Sequence, residues 1–206
     1  METAVPTRVT PAQEHPWLCL DVVNAVDGRD EDATYTYPQM LEWVRAAGGL
    51  SSADVAALES AAVADPVGAE EEVRRMTVLL RSAFAVFHGL ATNGSADEAA
   101  LAALQAVHAD ALAHGRLERT GPAFHWSWEH DVRLPRWLVA HSAVELVTGG
   151  PLGRVKVCAS DDGCHYLFVD TSKNNSRRWC SMADCGNTAK ARRLTEKRRA
   201  SRTADA

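Results

Sequence analysis

The sequence of 206 residues has no run approaching the roughly 18 apolar residues that would cross a bilayer. Its first residues, METAVPTRVTPAQEHP, lack the basic-then-apolar layout of a secretory signal. These two absences predict a soluble, cytoplasmic protein with no membrane partner. The sequence also has no Gly-x-Ser-x-Gly elbow, no phosphate-binding Gly-Lys-Ser/Thr loop and no dinucleotide glycine fingerprint. No internal repeat or low-complexity stretch occurs. An enzyme is therefore not expected, and no catalytic residue is assigned.

Histidines do not change that expectation. His108 and His114 are six positions apart, and His125 and His130 straddle the end of an expected strand. Metal ligands on one helix face need a spacing of three or four, so these are not taken as ligands. His141 reads as a satisfied or exposed histidine rather than a general base.

The net charge of −5 conceals an uneven distribution. Residues 1–170 hold 12 Lys and Arg against 24 Asp and Glu, whereas residues 171–206 hold 10 against 3, giving −12 on the body and +7 on the tail. A basic end of this kind suits a polyanionic partner even though the whole chain is acidic.

Several helices are legible from periodicity and caps. The segment 38–47 carries Met40, Leu41, Val44 and Ala47 at helical spacing and stops at Gly48-Gly49, and Ser51-Ser52 can cap a second helix to about 64. Segment 67–91 is the longest expected helix, with acids in its first turn and an apolar stripe from Val73 to Leu90. Ser95 to Glu98 has capping-box spacing ahead of a helix to about 114. The alternation in Phe124 to Trp128, after Thr-Gly-Pro, predicts a small hairpin within 116–129. Pro135 suits the first turn of a helix over 134–148, and Gly149-Gly150-Pro151 marks a boundary. The apolar run at 17–23, bounded by Pro16 and by Asp27-Gly28, predicts a buried strand or short element, with Cys19 a small buried hydrophobe. The expected fold is mostly α with a small β element (α+β): a helical domain over 1–150 and a small module over 151–206.

That module holds the remaining four cysteines within 28 positions, as Cys158-x5-Cys164 and Cys180-x4-Cys185 with 15 residues between the pairs. Two close pairs separated by an arm can present four sulfurs to one tetrahedral ion. Disulfides are disfavoured in a reducing compartment, neither pair has the two-residue spacing of a redox motif, and an iron–sulfur cluster fits two compact knuckles less well. The expected cofactor is one structural Zn2+ ion on Cys158, Cys164, Cys180 and Cys185, with His165 the alternative ligand. Gly163 allows a tight turn into Cys164. Tyr166 to Asp170 reads as a short strand, and Gly186 and Asn187 as the second knuckle, with backbone amides facing sulfur.

Basic residues surround the cysteines: Lys173, Arg177 and Arg178 before Cys180, and Lys190, Arg192, Arg193 and Lys197 after Cys185. Strong helix formers fill 188–199, and at about 100° per residue Lys190, Arg193 and Lys197 share an arc of about 60°. Phosphates are the natural partners of such a stripe, with Ser172, Asn174, Asn175 and Ser176 as neutral donors beside it. Alternatively, Arg177 and Arg178 pair with the acidic body, and Trp179 packs over the metal rather than stacking on bases.

Ser176-Arg-Arg-Trp-Cys180-Ser-Met182 followed by Cys185-Gly186-Asn187 resembles the CGNR zinc finger, with Thr188 in place of the naming arginine. Trp17-Leu-Cys-Leu-Asp-Val-Val-Asn24 resembles the start of the ABATE domain, which usually precedes that finger in bacteria. The resemblance implies a stress-related transcription regulator with a C-terminal zinc finger. The function expected is zinc-dependent DNA binding by the finger and basic helix, with the body sensing a small-molecule effector or mediating homodimerisation. A zinc-stapled protein-interaction module or an RNA-binding protein is the alternative.

Overall fold

The computed structural model describes residues 17–26, 35–160 and 163–204. The limits expected at Pro16 and at Asp27-Gly28 lie outside the described residues. Helix α1 (Leu18–Ala25) occupies the stretch for which a strand or short element was expected. Its eight residues bury Leu18, Cys19, Leu20, Val22 and Val23, so no polar face marks it as a helix. The first-turn amide of Cys19 donates to Ser142 Oγ at 3.2 Å, which satisfies a group that no helical carbonyl can reach. Burial pushes the Cys19 thiol up to about 12, as expected for an inert core residue.

Caps explain where the next helices begin. In α2 (Tyr37–Ala46) the Thr36 hydroxyl accepts from the Gln39 amide while the Gln39 side chain accepts from the Thr36 amide. Ser51 and Asp54 make the same exchange at the start of α3 (Ser52–Ala64). Asp65 caps α4 (Pro66–Asn93), whose 28 residues end at Gly94, a left-handed position with φ 71°. The capping box expected at Ser95 is not formed: Asp97 caps α5 (Glu98–His114), accepting from the Ala100 amide at 2.7 Å. The Ser95 carbonyl lies against Gly89 of α4, where a Cβ would come within 2.6 Å.

A hairpin follows, β1 (Arg116–Thr120) with β2 (Ala123–Ser127), antiparallel with Leu117 opposite Trp126. Trp128 then folds back to donate from Nε1 to the Ala111 carbonyl at 2.8 Å. Helix α6 (Leu134–Gly149) lies between α5 and α1 with most of its residues buried. One polar cluster pins three helices together inside this core: Arg136 donates to Glu72 of α4 at 2.6 Å and to Asp110 of α5 at 3.3 Å. Trp137 donates to the same Asp110 oxygen at 2.7 Å. The buried charges are thus paired and hydrogen-bonded, the condition for placing them there.

The chain then makes β3 (Val155–Val157), antiparallel to β4 (Leu167–Val169), and ends in α7 (Asn187–Ala204). The architecture is mostly helical with two small two-stranded sheets, in agreement with the expected class. The second sheet was half foreseen, since Tyr166 to Asp170 was read as a strand and its partner β3 was not. Val155, Leu167 and Val169 belong to the same hydrophobic core as the body, and β3 packs on α4. Asn24 of α1 accepts from the Leu167 amide and donates to its carbonyl, both at 2.8 Å, so the β3–β4 sheet is tied to the first helix. No described helix is long and apolar enough to cross a membrane.

Candidate metal centre and nucleic-acid interface

Four backbone segments bring the cysteines together. Cys158 follows β3, and its amide donates to the Tyr166 carbonyl at 2.9 Å, closing the loop that carries Cys164. Gly163, with φ 78°, supplies the left-handed turn into Cys164. Cys180 ends the arm after β4, and Cys185 sits in a π turn over Met182–Gly186 that runs directly into α7.

The thiol sulfurs of Cys158, Cys164, Cys180 and Cys185 all lie within 4.8 Å of one another. The Cys164 to Cys180 and Cys180 to Cys185 separations are 3.8 and 3.7 Å. A tetrahedron with zinc–sulfur bonds of about 2.3 Å has edges of about 3.8 Å, so the spacing fits one ion. The Cys180 amide donates to Cys158 Sγ at 3.4 Å, the kind of contact that stabilises a thiolate ligand. This role was expected of the amides after Cys185, but the Gly186 amide donates instead to the Ser181 carbonyl at 2.9 Å. A Cβ on Gly186 would meet the Met182 sulfur at 2.8 Å, but that sulfur ends a flexible, exposed side chain that can move aside. Ser181 Oγ accepts from the Asp184 amide and Asn187 donates to the Ala183 carbonyl, so the turn between the third and fourth ligands is bonded throughout. The centre is a structural one: four thiolates leave no open position for water or substrate. Among the described residues no other such ligand group occurs, and His165 is not part of this one.

The arm between the cysteine pairs is organised by Asp170, which in the sequence marks only the end of a strand. Asp170 is fully buried, and its carboxylate accepts from Lys156 Nζ at 2.6 Å, from the Ser172 amide at 2.8 Å and from the Arg177 amide at 2.8 Å. Burial opposes its ionisation, yet the Lys156 and Ser172 bonds hold its carboxyl well below the usual range. Lys156 also donates to the Asn175 and Arg177 carbonyls at 2.7 and 3.1 Å. A charged residue closing an apolar strand, Leu-Phe-Val-Asp, was the available signal for such an anchor.

Of the seven basic residues singled out, Arg177 is turned inward. Its Nε donates to the Trp179 carbonyl at 2.9 Å, its Nη2 bonds the Cys180 carbonyl, and its guanidinium lies 4.7 Å over the Phe168 ring. Among the described residues it has no acidic partner in the body, and it is half-buried. Ser172 and Asn175, expected as donors beside it, are likewise engaged within the arm, by the Ser176 amide and the Gly153 carbonyl.

The other six are exposed. Arg178 covers the half-buried Trp179 ring at 5.4 Å and, with Arg192 and Arg193, lines a notch between the finger and α7. Arg192 pairs with Glu196 at 3.4 Å. Lys173, Lys190, Arg193 and Lys197 have no ion-pair partner among the described residues. Thr188, in the first turn of α7, is exposed. The metal thus sits at the root of the helix that carries three of the unpaired cations.

Fold and site together define a zinc-finger protein with a helical N-terminal body. Residues 154–198 match the CGNR zinc finger, and residues 17–150 match ABATE, described as "Putative stress-induced transcription regulator". The chain belongs to the ABATE family and carries the CGNR finger after it. A search of curated proteins returned no match.

Proposed function

We propose that the protein is a cytoplasmic DNA-binding transcription regulator in which the finger and α7 contact the duplex, while the body senses an effector or mediates homodimerisation. The observation that carries the proposal is the free charge on α7. Lys190, Arg193 and Lys197 recur at three and four residues on a helix of 18 residues, without acidic partners among the described residues. An α-helix fits the major groove, and neutralising phosphates releases counterions. Zinc supports this by fixing Cys185 immediately ahead of α7, so the helix leaves the finger in a defined direction. The family description supports a regulator. The proposal is of a binding protein rather than an enzyme, in keeping with a closed metal site.

The test is a fluorescence-anisotropy titration of the zinc-loaded protein with random and genomic duplexes at low salt. Binding of either kind supports the proposal, and its absence for both defeats it. A zinc-stapled docking module for an acidic protein surface predicts that replacing Lys190, Arg193 and Lys197 changes oligomeric state while leaving nucleic-acid retention as it was.

A further inference from the structure

We propose that the cleft between α2, α3 and the first half of α4 is a binding site for an apolar organic cation. This rests on the reading of the body as the sensing half of a regulator, and it adds the place and chemistry of the ligand. The cleft encloses about 880 Å³, within the range of small-molecule sites. Tyr35, Tyr37, Ala62, Val63 and Val73 supply its walls. Val63 is 83% exposed, so the cleft leaves valine surface in water that a ligand would cover.

Charge selects the ligand's sign. Arg74 is the basic residue lining the cleft, and it is held by Glu70 at 2.9 Å and Glu71 at 2.8 Å. Glu59, on the opposite wall, has no hydrogen-bond or ion-pair partner among the described residues. The rim therefore carries surplus negative charge. An anion would meet Glu59 and Glu70 and find Arg74 already neutralised. A cation gains Glu59 and the ring of Tyr35, which stands edge-on to Trp43 with centroids 4.8 Å apart.

The same α4 that walls the cleft at Val73 and Arg74 continues to His88, whose ring lies 6.3 Å from that of His165, next to the metal ligand Cys164. Helix α4 thus runs from the cleft to the neighbourhood of the metal centre.

The experiment titrates full-length, zinc-loaded protein with tetraphenylphosphonium and, separately, with tetraphenylborate, which has the same shape and the opposite charge. Binding is read from the methyl resonances of Val63 and Val73, so that association of the borate with the basic tail is not counted. The expected result is saturable phosphonium binding at least tenfold tighter than borate binding at those methyls. Ala62→Trp, which fills the cleft, should abolish it, and Glu59→Gln, a surface change that spares the fold, should weaken it threefold or more. Equal binding of the two ions, or phosphonium affinity unchanged in Glu59→Gln, overturns the proposal. A duplex titration of the same sample separates the two claims. Phosphonium binding without duplex binding leaves the cleft standing and defeats DNA regulation. Duplex binding without phosphonium binding defeats the cleft alone.

Discussion

Asn24 and Leu167, 143 positions apart, exchange two hydrogen bonds of 2.8 Å, side-chain amide to backbone carbonyl and backbone amide to side-chain oxygen. Asparagine carries an NH2 donor and a carbonyl acceptor side by side, so it can complete the free edge of a two-stranded sheet as a third strand would. Leu167 is 1% exposed and Asn24 half-buried, so water is a poor substitute for either bond. Replacing Asn24 by Ala should cost about 2–4 kcal/mol, since each buried backbone group left unpaired costs about 1–3 kcal/mol. Denaturant unfolding gives the cost, and hydrogen exchange at the Leu167 amide should rise with it. Asn24→Asp keeps the acceptor but sets a carboxylate oxygen against the Leu167 carbonyl, and should cost at least as much as Ala.

Removing zinc should unfold the finger and spare the body. The arm and the π turn bury little apolar surface, so metal binding, about 10–16 kcal/mol in zinc-finger peptides, supplies most of their order. A chelator, or Ser in place of Cys158, Cys164, Cys180 or Cys185, should abolish the helical signal of α7 while the tryptophan-rich core keeps its near-ultraviolet spectrum. Retention of α7 helicity in the zinc-free protein would show that the metal does not position it.

Arg177 should behave as a structural residue. Its guanidinium holds the Trp179 and Cys180 carbonyls and covers Phe168. Arg177→Gln should accelerate zinc release to a chelator by tenfold or more, corresponding to about 1.5–3 kcal/mol for bonds to a charged group. Lys173→Gln, at an exposed position of the same arm, should leave that rate unchanged.

Acid should weaken the body through His108. The His141 ring bonds His108 at 3.1 Å through Nδ1 and faces Glu145 at 3.4 Å through Nε2. Burial first, then the charge of His141, lowers the value at which His108 takes a proton. The unfolded chain therefore binds more protons as pH falls, and the stability from His108 is present above about 6.5, the ordinary histidine value, and lost below it. Melting temperature should drop between pH 8 and 5.5, and His108→Gln should reduce that drop.

The parts of this structure written locally were legible in the sequence. Ser51 sits where its cap is needed, Gly48-Gly49 follows where α2 stops, and the cysteine spacing identifies the ligand set on its own. Two kinds of information were not legible. Helix α1 leaves only Asp21, Asn24 and Ala25 less than buried, too narrow an edge over eight residues to separate helix from strand. Long-range pairing leaves no spacing to read: Asn24 stands out only as part of the resemblance, and its partner Leu167 lies 143 positions away. The inward turn of Arg177 likewise depends on Phe168 and on two carbonyls, partners that a charge count does not contain.

The central claim is that zinc sets a basic helix on nucleic acid. It is tested most directly by the salt dependence of duplex binding for the wild type and for Lys190→Gln/Arg193→Gln/Lys197→Gln. If the three cations each meet a phosphate, wild-type affinity falls steeply with salt and the variant's log–log slope is shallower by about 2–3. Duplex affinity and slope unchanged in the variant, with zinc bound in both, would contradict the claim.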